Sequence, residues 1–269
     1  MDWLEVLTET TQRVKATITP LIKTPLAQKT YGTGAGGDPK KHIDVQAEKA
    51  IIEALTEHDL SFTLISEETG IKTYGQNPTT YVTTDPLDGT TNAIRGIPFA
   101  CTSIAISKAP SLNALEAAAV ADLFHDATYL AQKNLGAYRN YQKITPAQTS
   151  SLHEAVMGLD LNTYKTAELT ERLNQLLTQT KHIRHLGANA LELCYVADGT
   201  TDAFVDLRGK LRTTDMAAAT LILREAGATI TTPENTPLAN PLSPTETVEF
   251  IASANTVLHQ IILETLRKA

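Results

Sequence analysis

The stretch best suited to chemistry runs from Asp85 to Asn92 and reads Asp-Pro-Leu-Asp-Gly-Thr-Thr-Asn. Its carboxylates, Asp85 and Asp88, are separated by a turn that Pro86 stiffens, and Gly89 permits a positive φ or a close backbone approach. The hydroxyl residues after the glycine could expose backbone N–H groups at the start of a helix. These features suit a hard cation with oxygen ligands and a phosphate-sized anion beside it. An isolated Asp-Gly pair would instead indicate a turn that only reverses the chain.

Predicted strands and a helix must position these acids. The β-branched and aromatic run 81–84 predicts a strand that ends at Asp85, and the run 61–65 predicts another that is followed by Glu67. A third acid, Asp215, opens a predicted helix. Taken singly, an acid at a helix start is ordinarily a cap, and acids at strand ends are usually solvated. They act together only if the fold brings them to one point.

These acidic segments resemble the motifs of the inositol monophosphatase family, a group of magnesium-dependent, lithium-sensitive sugar phosphatases. The stretch 85–92 matches the family motif Asp-Pro-(Ile/Leu)-Asp-Gly-Thr-Thr-Asn without a break. Glu67 and Glu68 match a Gly-Glu-Glu motif, with serine in place of the glycine. The stretch 214–219 is similar to Trp-Asp-x-Ala-(Ala/Gly)-Gly; it retains Asp215 and replaces the tryptophan and the last glycine. The resemblance covers most of residues 31–232.

The resemblance implies an α/β (α+β) fold, a layered α-β-α-β-α sandwich of the inositol monophosphatase/fructose-bisphosphatase type. An N-terminal α+β half, residues 1–150, would carry Glu67 and the motif 85–92 on a largely antiparallel sheet flanked by two early helices. A C-terminal α/β half, residues 151–269, would carry Asp215 and the substrate contacts.

The resemblance also implies Mg²⁺ as the cofactor, with two or three ions per site and Mn²⁺ as a substitute. Glu67, Asp85 and the Leu87 carbonyl would hold one ion, and Asp85, Asp88 and Asp215 would hold another. Oxygen ligands of this kind suit Mg²⁺ or Mn²⁺, and a shared carboxylate keeps two ions close, as two-metal phosphoryl chemistry requires. No HExxH motif or Cys/His zinc spacing occurs, so zinc is not implied.

The resemblance assigns catalytic roles to Asp44 and Thr90. On its own, Asp44 is a helix N-terminal acid that favours the dipole, whereas in the family it hydrogen-bonds the motif threonine. Water oriented by Thr90 would attack phosphorus in line, and Asp88 with the N–H groups of Gly89 and Thr90 would contact the substrate phosphate. No cysteine, histidine or serine is placed as a nucleophile, which predicts direct transfer to water without a phosphoenzyme.

Further substrate contacts are expected in the second half. The segment 187–190 resembles the family's Gly-(Ser/Thr/Ala)-x-Ala substrate segment, with a plain helix start as the alternative. Asp206 stands where the family contacts a sugar hydroxyl. Arg208 resembles arginines that archaeal fructose-bisphosphatase-like members use for a second phosphate, with a solvated turn arginine as the alternative. The predicted contacts here are Arg184, Gly187, Ala188, Asn189, Asp206 and Arg208.

The glycine-dense stretch 32–41 is not a dinucleotide fingerprint, because no strand precedes it. Flexible loops near sites often act as lids. In the archaeal branch of the family a mobile loop at this place helps to position a third metal and the water, which makes Asp38 and Lys40 candidates for that role. A solvated hairpin-like loop is an equally open alternative.

These segments look most like those of archaeal dual-specificity enzymes, so we expect fructose 1,6-bisphosphate and inositol 1-phosphate as substrates. The alternatives within the same chemistry are a plain inositol monophosphatase and a 3′-phosphoadenosine 5′-phosphate phosphatase. A catalytically inactive relative that binds sugar phosphates or a protein is a remote alternative, because every expected carboxylate is present.

Composition narrows the partners. The 269 residues carry a formal charge of −7 without Lys/Arg clusters, which argues against nucleic-acid and anionic-membrane surfaces. Cys101 and Cys194 lack paired spacing and indicate a reduced chain. No signal peptide or membrane-spanning run is recognisable, which predicts a cytoplasmic protein. We expect a small-molecule sugar or inositol phosphate as the ligand and a homodimer, the usual assembly in the family.

Overall fold

The first elements of the chain are two helices separated by a hairpin in the computed structural model, which describes residues 2–162 and 167–268. They are α1 (Trp3–Ile18), a 3-10 turn (Thr19–Leu21), strands β1 (Thr30–Thr33) and β2 (Pro39–Lys41), and α2 (His42–Glu57). The Asp2 carboxylate caps α1 by accepting the N–H of Leu4 at 3.0 Å. The glycine-dense stretch therefore lies in a hairpin that leads directly into α2.

An eight-stranded sheet forms the centre of the N-terminal half. Its strands are β3 (Phe62–Ser66), β4 (Gly70–Tyr74), β5 (Thr80–Asp88), β6 (Cys101–Ser107), β7 (Leu115–Asp122), β8 (Thr128–Gln132), β9 (Gly136–Arg139) and β10 (Gln142–Lys143), with α3 (Thr90–Arg95) between β5 and β6. Their order is β10-β9-β8-β7-β6-β5-β3-β4, and β3 runs parallel to β5 while the other neighbours are antiparallel.

A five-stranded sheet forms the C-terminal half. Its strands are β11 (Val156–Leu159), β12 (His182–Arg184), β13 (Ala203–Arg212), β14 (Thr229–Thr231) and β15 (Thr247–Ser253), in the order β12-β11-β13-β15-β14. The helices of this half are α4 (Ala167–Gln179), α5 (Asn189–Ala197), α6 (Thr213–Ala226) and α7 (Thr256–Leu266). Strand β11 is parallel to both β12 and β13, so its neighbours end at the same edge of the sheet.

Three apolar clusters show that the elements stack as layers. One cluster joins α1 and α2 to one face of the eight-stranded sheet. A second joins the opposite face to α5 and α6 and continues to the five-stranded sheet. A third joins the far face of that sheet to α4 and α7. The α-β-α-β-α order expected from the sequence is confirmed, and it places the start of α6 between the two sheets.

Two element boundaries differ from the sequence-based expectation. Strand β5 continues through Asp88 rather than ending at Asp85, with an irregular register against β6 between these two residues. Helix α6 begins at Thr213, so Asp215 lies inside its first turn.

Both cysteines are buried free thiols. Within the described ranges, no helix combines the length and apolar character needed to cross a bilayer.

Candidate active site

Three carboxylates from distant parts of the chain meet at the edge of the eight-stranded sheet. Glu67, Asp85 and Asp215 each offer an oxygen that lies within 4.8 Å of the others. The parallel pairing of β3 and β5 aligns Ser66 with Thr84, so the next residues, Glu67 and Asp85, emerge side by side. Helix α6 then brings Asp215 to them from the other half. We call these three residues the acidic cluster.

Electrostatics show that the acidic cluster is suited to a cation. Burial raises the pKa of Asp85 well above its usual range, and the neighbouring Glu67, Asp88 and Asp215 raise it further. Burial and the charge of Asp215 also raise the pKa of Glu67. Carboxylates held this close and out of water repel one another unless a positive charge lies among them. Hard oxygen donors in such a group fit Mg²⁺ or Mn²⁺.

Asp88 and Leu87 lie beside the acidic cluster and have partners of their own. Asp88 Oδ2 accepts the Ala190 N–H at 2.6 Å, so its carboxylate sits at the start of α5. Burial raises the pKa of Asp88 to about 7, and this backbone contact limits the rise. The Leu87 carbonyl oxygen lies 2.9 Å from Thr90 Oγ1, within hydrogen-bond distance of that hydroxyl. The anion at the start of α5 is therefore a protein carboxylate.

Arg212 is the residue of this site that sequence reasoning missed. Its Nη2 lies 2.6 Å from Glu67 Oε1, and its Nε lies 3.3 Å from Asp215 Oδ2. Its Nη1 lies 3.0 Å from Asp38 Oδ2 and donates to the Gly36 carbonyl at 3.3 Å. Burial lowers the pKa of Arg212, but these carboxylates outweigh that effect and raise it above its ordinary value. The guanidinium thus connects Glu67 and Asp215 to the hairpin loop.

The hairpin loop 34–38 packs directly against the acidic cluster. The Gly36 N–H donates to the Glu67 carbonyl at 3.0 Å. A Cβ on Gly36 would lie 2.2 Å from Arg212 Nη1, so the glycine makes room for the guanidinium. Asp38 is exposed and reaches the site through its ion pair with Arg212, and its charge also raises the pKa of Glu67.

Glu68 is buried behind this loop. Burial and the charge of Asp44 raise its pKa to about 7, whereas the charge of Lys40 lowers it. Among the described residues, no hydrogen-bond partner reaches Glu68 Oε2. Lys40 is thus placed to influence Glu68 electrostatically.

Asp44 and Thr90 are joined as the family resemblance implied. Thr90 Oγ1 lies 2.8 Å from Asp44 Oδ1. Asp44 is the third residue of α2, and its other oxygen accepts the Lys41 N–H at 3.1 Å, which fixes the carboxylate. Gly89 precedes α3 with φ of 88°, and an added Cβ would lie 3.0 Å from the Phe99 carbonyl oxygen. The sharp turn at Gly89 thus aims Thr90 at Asp44.

The segment 184–190 is divided between the site and the surface. Gly187 has φ of 86° and faces Asn92, whose Nδ2 donates to the Leu186 carbonyl at 2.8 Å. Ala188 is buried, and Asn189 begins α5 next to Asp88. Arg184 is exposed and donates to the Ile183 carbonyl, so the structure does not bring it to the acidic cluster.

Asp206 and Arg208 form a bidentate ion pair in the five-stranded sheet. Asp206 is buried, and its two oxygens accept from Arg208 Nε at 2.9 Å and Nη2 at 2.6 Å. These bonds use only part of the acceptor capacity of the Asp206 carboxylate, which has about four lone-pair sites. Arg208 is not the solvated turn arginine of the alternative interpretation, since its side chain is 9% exposed.

The fold and the acidic cluster are those of a metal-dependent phosphatase. The chain belongs to the inositol monophosphatase family, whose model matches residues 2–269.

Relatives with assigned names span nearly the whole chain. It is 35% identical to a fructose-1,6-bisphosphatase/inositol-1-monophosphatase of Methanothermobacter thermautotrophicus, over 98% of this chain and 96% of that protein. It is 32% identical to a bifunctional NADP phosphatase/NAD kinase of Methanococcus maripaludis, over 97% of this chain but 48% of that longer protein. The crystal structure of an inositol monophosphatase-fructose 1,6 bisphosphatase superimposes with a TM-score of 0.87 at 29% identity, covering 98% of this chain and 100% of that one.

Proposed function

We propose that this enzyme is a Mg²⁺-dependent phosphomonoesterase that hydrolyses sugar and polyol phosphates, with fructose 1,6-bisphosphate and inositol 1-phosphate as its substrates. The observation that carries the proposal is the meeting of Glu67, Asp85 and Asp215 within 4.8 Å, beside the Gly89 turn at the start of α3. The relative from Methanothermobacter thermautotrophicus, named for both activities, supports the choice of substrates.

The metal-binding residues are those of the acidic cluster together with Asp88 and the Leu87 carbonyl. When bound, Mg²⁺ supplies positive charge for the phosphate oxygens and lowers the pKa of the attacking water. We also propose that each site binds two or three ions and that Mn²⁺ can substitute for Mg²⁺, because the ligands are hard oxygen donors.

Asp44 and Thr90 orient the attacking water. A hydroxyl carries one hydrogen, and Thr90 Oγ1 lies between two acceptors, Asp44 Oδ1 at 2.8 Å and the Leu87 carbonyl at 2.9 Å. When Thr90 donates to the carboxylate, its lone pairs are left to receive a hydrogen from water. Asp44 thereby fixes the hydroxyl rotor, and the water attacks without a phosphoenzyme intermediate.

The experiment compares phosphate release from both substrates with Mg²⁺ and with a chelator. We expect Mg²⁺-dependent release from both and none with the chelator. Asp85→Asn should abolish turnover because it removes a charge from the centre of the acidic cluster, whereas Asp126→Asn, at an exposed position, should behave as wild type. Full activity of Asp85→Asn, or release that is indifferent to the chelator, would refute the proposal.

The same assay decides between the alternatives. Hydrolysis of inositol 1-phosphate alone would identify a plain inositol monophosphatase. Preferential hydrolysis of 3′-phosphoadenosine 5′-phosphate or of NADP would identify a nucleotide phosphatase; NADP belongs in the panel because a relative is named as an NADP phosphatase. Absence of hydrolysis of any of these esters would leave the inactive, ligand-binding relative.

We also propose that the protein forms a homodimer and is located in the cytoplasm. Sedimentation at the mass of two chains would support the dimer, and sedimentation at 29.1 kDa would refute it.

A further inference from the structure

A second charged cluster lies where β11 and β13 run parallel. Leu159 pairs with Val205, so the residues that follow them, Asp160 and Asp206, stand side by side on neighbouring strands. Both carboxylates are buried, with exposures of 3% and 0%. Two buried acids at adjacent positions need a counter-charge to be tolerated.

Arg208 supplies that counter-charge to both acids. In addition to its bidentate pair with Asp206, its Nη2 lies 2.6 Å from Asp160 Oδ2. Its Nη1 donates to the Asn162 carbonyl at 3.2 Å. The guanidinium is therefore held on several sides by the protein itself.

The charge of Arg208 is more than neutralised. Two carboxylates facing one guanidinium leave a surplus negative charge, and His185, with Nδ1 3.8 Å from Asp160 Oδ1, adds a positive charge only when it is protonated. A second phosphate placed here would be repelled and would have to compete with Asp160 for Arg208. A hydroxyl group would meet no such repulsion, and it can donate to a carboxylate.

This cluster borders the acidic cluster. His185 immediately precedes the segment 186–190, whose far end binds Asp88 through the Ala190 N–H. Burial lowers the pKa of Arg208, but the pairing with Asp206 and the charges of Asp160 and Asp215 outweigh it and raise the pKa above its ordinary value. The part of a substrate that extends from its phosphate towards the five-stranded sheet would meet these residues.

We propose that Asp160 is a specificity-determining residue: by holding Arg208, it favours substrates whose remaining part is a neutral polyol over substrates that carry a second phosphate. The inference rests on the proposed function and ranks its two substrates. Asp160 is a positioning residue, because it acts through Arg208 and not on the reacting atoms. Inositol 1-phosphate is then preferred to fructose 1,6-bisphosphate.

The test is Asp160→Asn, which keeps the size of the side chain and an acceptor for the Asn162 N–H that now bonds Asp160 Oδ1 at 2.9 Å. With Mg²⁺, the ratio of kcat/KM for fructose 1,6-bisphosphate to that for inositol 1-phosphate should rise about tenfold, because Arg208 loses one of the two carboxylates that neutralise it and can attract the second phosphate. The change should appear mainly in KM for the bisphosphate. Asp126→Asn, which removes an exposed carboxylate, should leave the ratio unchanged.

Arg208→Gln provides a test in the opposite direction. It leaves two carboxylates without their guanidinium, so the same ratio should fall. Asp160→Ser, which removes the same carboxylate and keeps a hydroxyl acceptor for the Asn162 N–H, decides the matter if Asp160→Asn does not fold. Equal losses on both substrates would give Asp160 a structural role only and overturn the inference, as would an unchanged ratio in an active enzyme. Inactivity of the wild type on both substrates is a different result, which overturns the proposed function.

Discussion

Arg212 Nη2 lies 2.6 Å from Glu67 Oε1, so the acidic cluster already contains a positive charge that belongs to the protein. The two side chains are 16% and 15% exposed, which makes this a largely buried ion pair between the halves of the chain. A divalent cation bound to Glu67 and Asp215 would approach the guanidinium closely, and like charges repel. On the proposed function, the arginine and the metal would therefore compete for the same carboxylates.

Arg212→Met should destabilise the protein most when metal is withheld. Removing one partner from a buried ion pair costs about 3 kcal/mol, because the remaining carboxylates are left without a counter-charge. If Mg²⁺ binds those carboxylates in the native state, as the proposed function requires, it should recover part of the loss. The measurement is urea unfolding with a chelator and with Mg²⁺, and Arg267→Met, at an exposed position, is the control. Equal losses under the two conditions would contradict the competition between Arg212 and the metal.

The pair formed by Asp44 and Thr90 gives a prediction on catalysis. Asp44→Asn should lower kcat by a factor of about 100 or more, because the amide no longer offers two acceptors to fix the Thr90 hydroxyl. Thr90→Val should have a similar effect, and Thr90→Ser should retain most of the activity. Thr91→Val is the matched control, since its exposed side chain lies on the same helix. A normal kcat for Thr90→Val would show that the hydroxyl does not orient the water.

The part of this site that lies within one short motif could be read from the sequence. The residues 85–92 place carboxylates, a glycine turn and a hydroxyl in one local structure, and the known motif also implied the contact of Thr90 with Asp44. The position of Gly89 follows from a positive φ that other residues rarely adopt. These features depend little on how distant strands pair.

Arg212 and Asp160 could not be recognised in the same way. Arg212 meets Asp38 across 174 positions of the chain, a contact created only when α6 and the hairpin dock on the same sheet edge. Its sequence signal is one basic residue three positions before Asp215, and a single arginine does not indicate which distant carboxylates it meets. Asp160 lies next to Asp206 because β11 and β13 are parallel in one particular register. Strand partners and register are set by the tertiary fold, which the local pattern does not specify.

Gly89 permits a prediction that separates backbone strain from steric contact. Gly227 has a similar φ, 94° against 88°, but a Cβ added there would meet nothing within 4 Å. Gly227→Ala should therefore lower the free energy of unfolding only by the cost of a left-handed conformation, about 1 kcal/mol. Gly89→Ala should lower the free energy of unfolding by more than this and should also reduce activity, because its Cβ would press on the Phe99 carbonyl at the turn that orients Thr90. Urea unfolding with a phosphatase assay checks both, and equal losses would show that the contact is unimportant.

His259, which is not part of the acidic cluster, gives a prediction on how the stability of the protein depends on pH. Its ring is 1% exposed, with Nδ1 2.7 Å from Ser253 Oγ and Nε2 2.9 Å from Thr231 Oγ1. Burial lowers its pKa from 6.5 to about 4. The unfolded chain therefore takes up a proton at this histidine before the native protein does. Its contribution to the free energy of unfolding is complete above pH 6.5 and is lost as the pH falls towards about 4, by about 2 kcal/mol at pH 5.

Replacing His259 should remove this pH dependence. His259→Gln removes the titrating ring, so the difference in unfolding free energy between the wild type and this variant should shrink by about 2 kcal/mol from pH 7.5 to pH 5. His153→Gln, which changes an exposed histidine, should follow the wild type across the same range. Urea unfolding at a series of pH values measures the difference. A constant difference would mean that the buried ring takes up its proton in the native state as readily as in the unfolded chain, since only unequal proton uptake makes stability depend on pH.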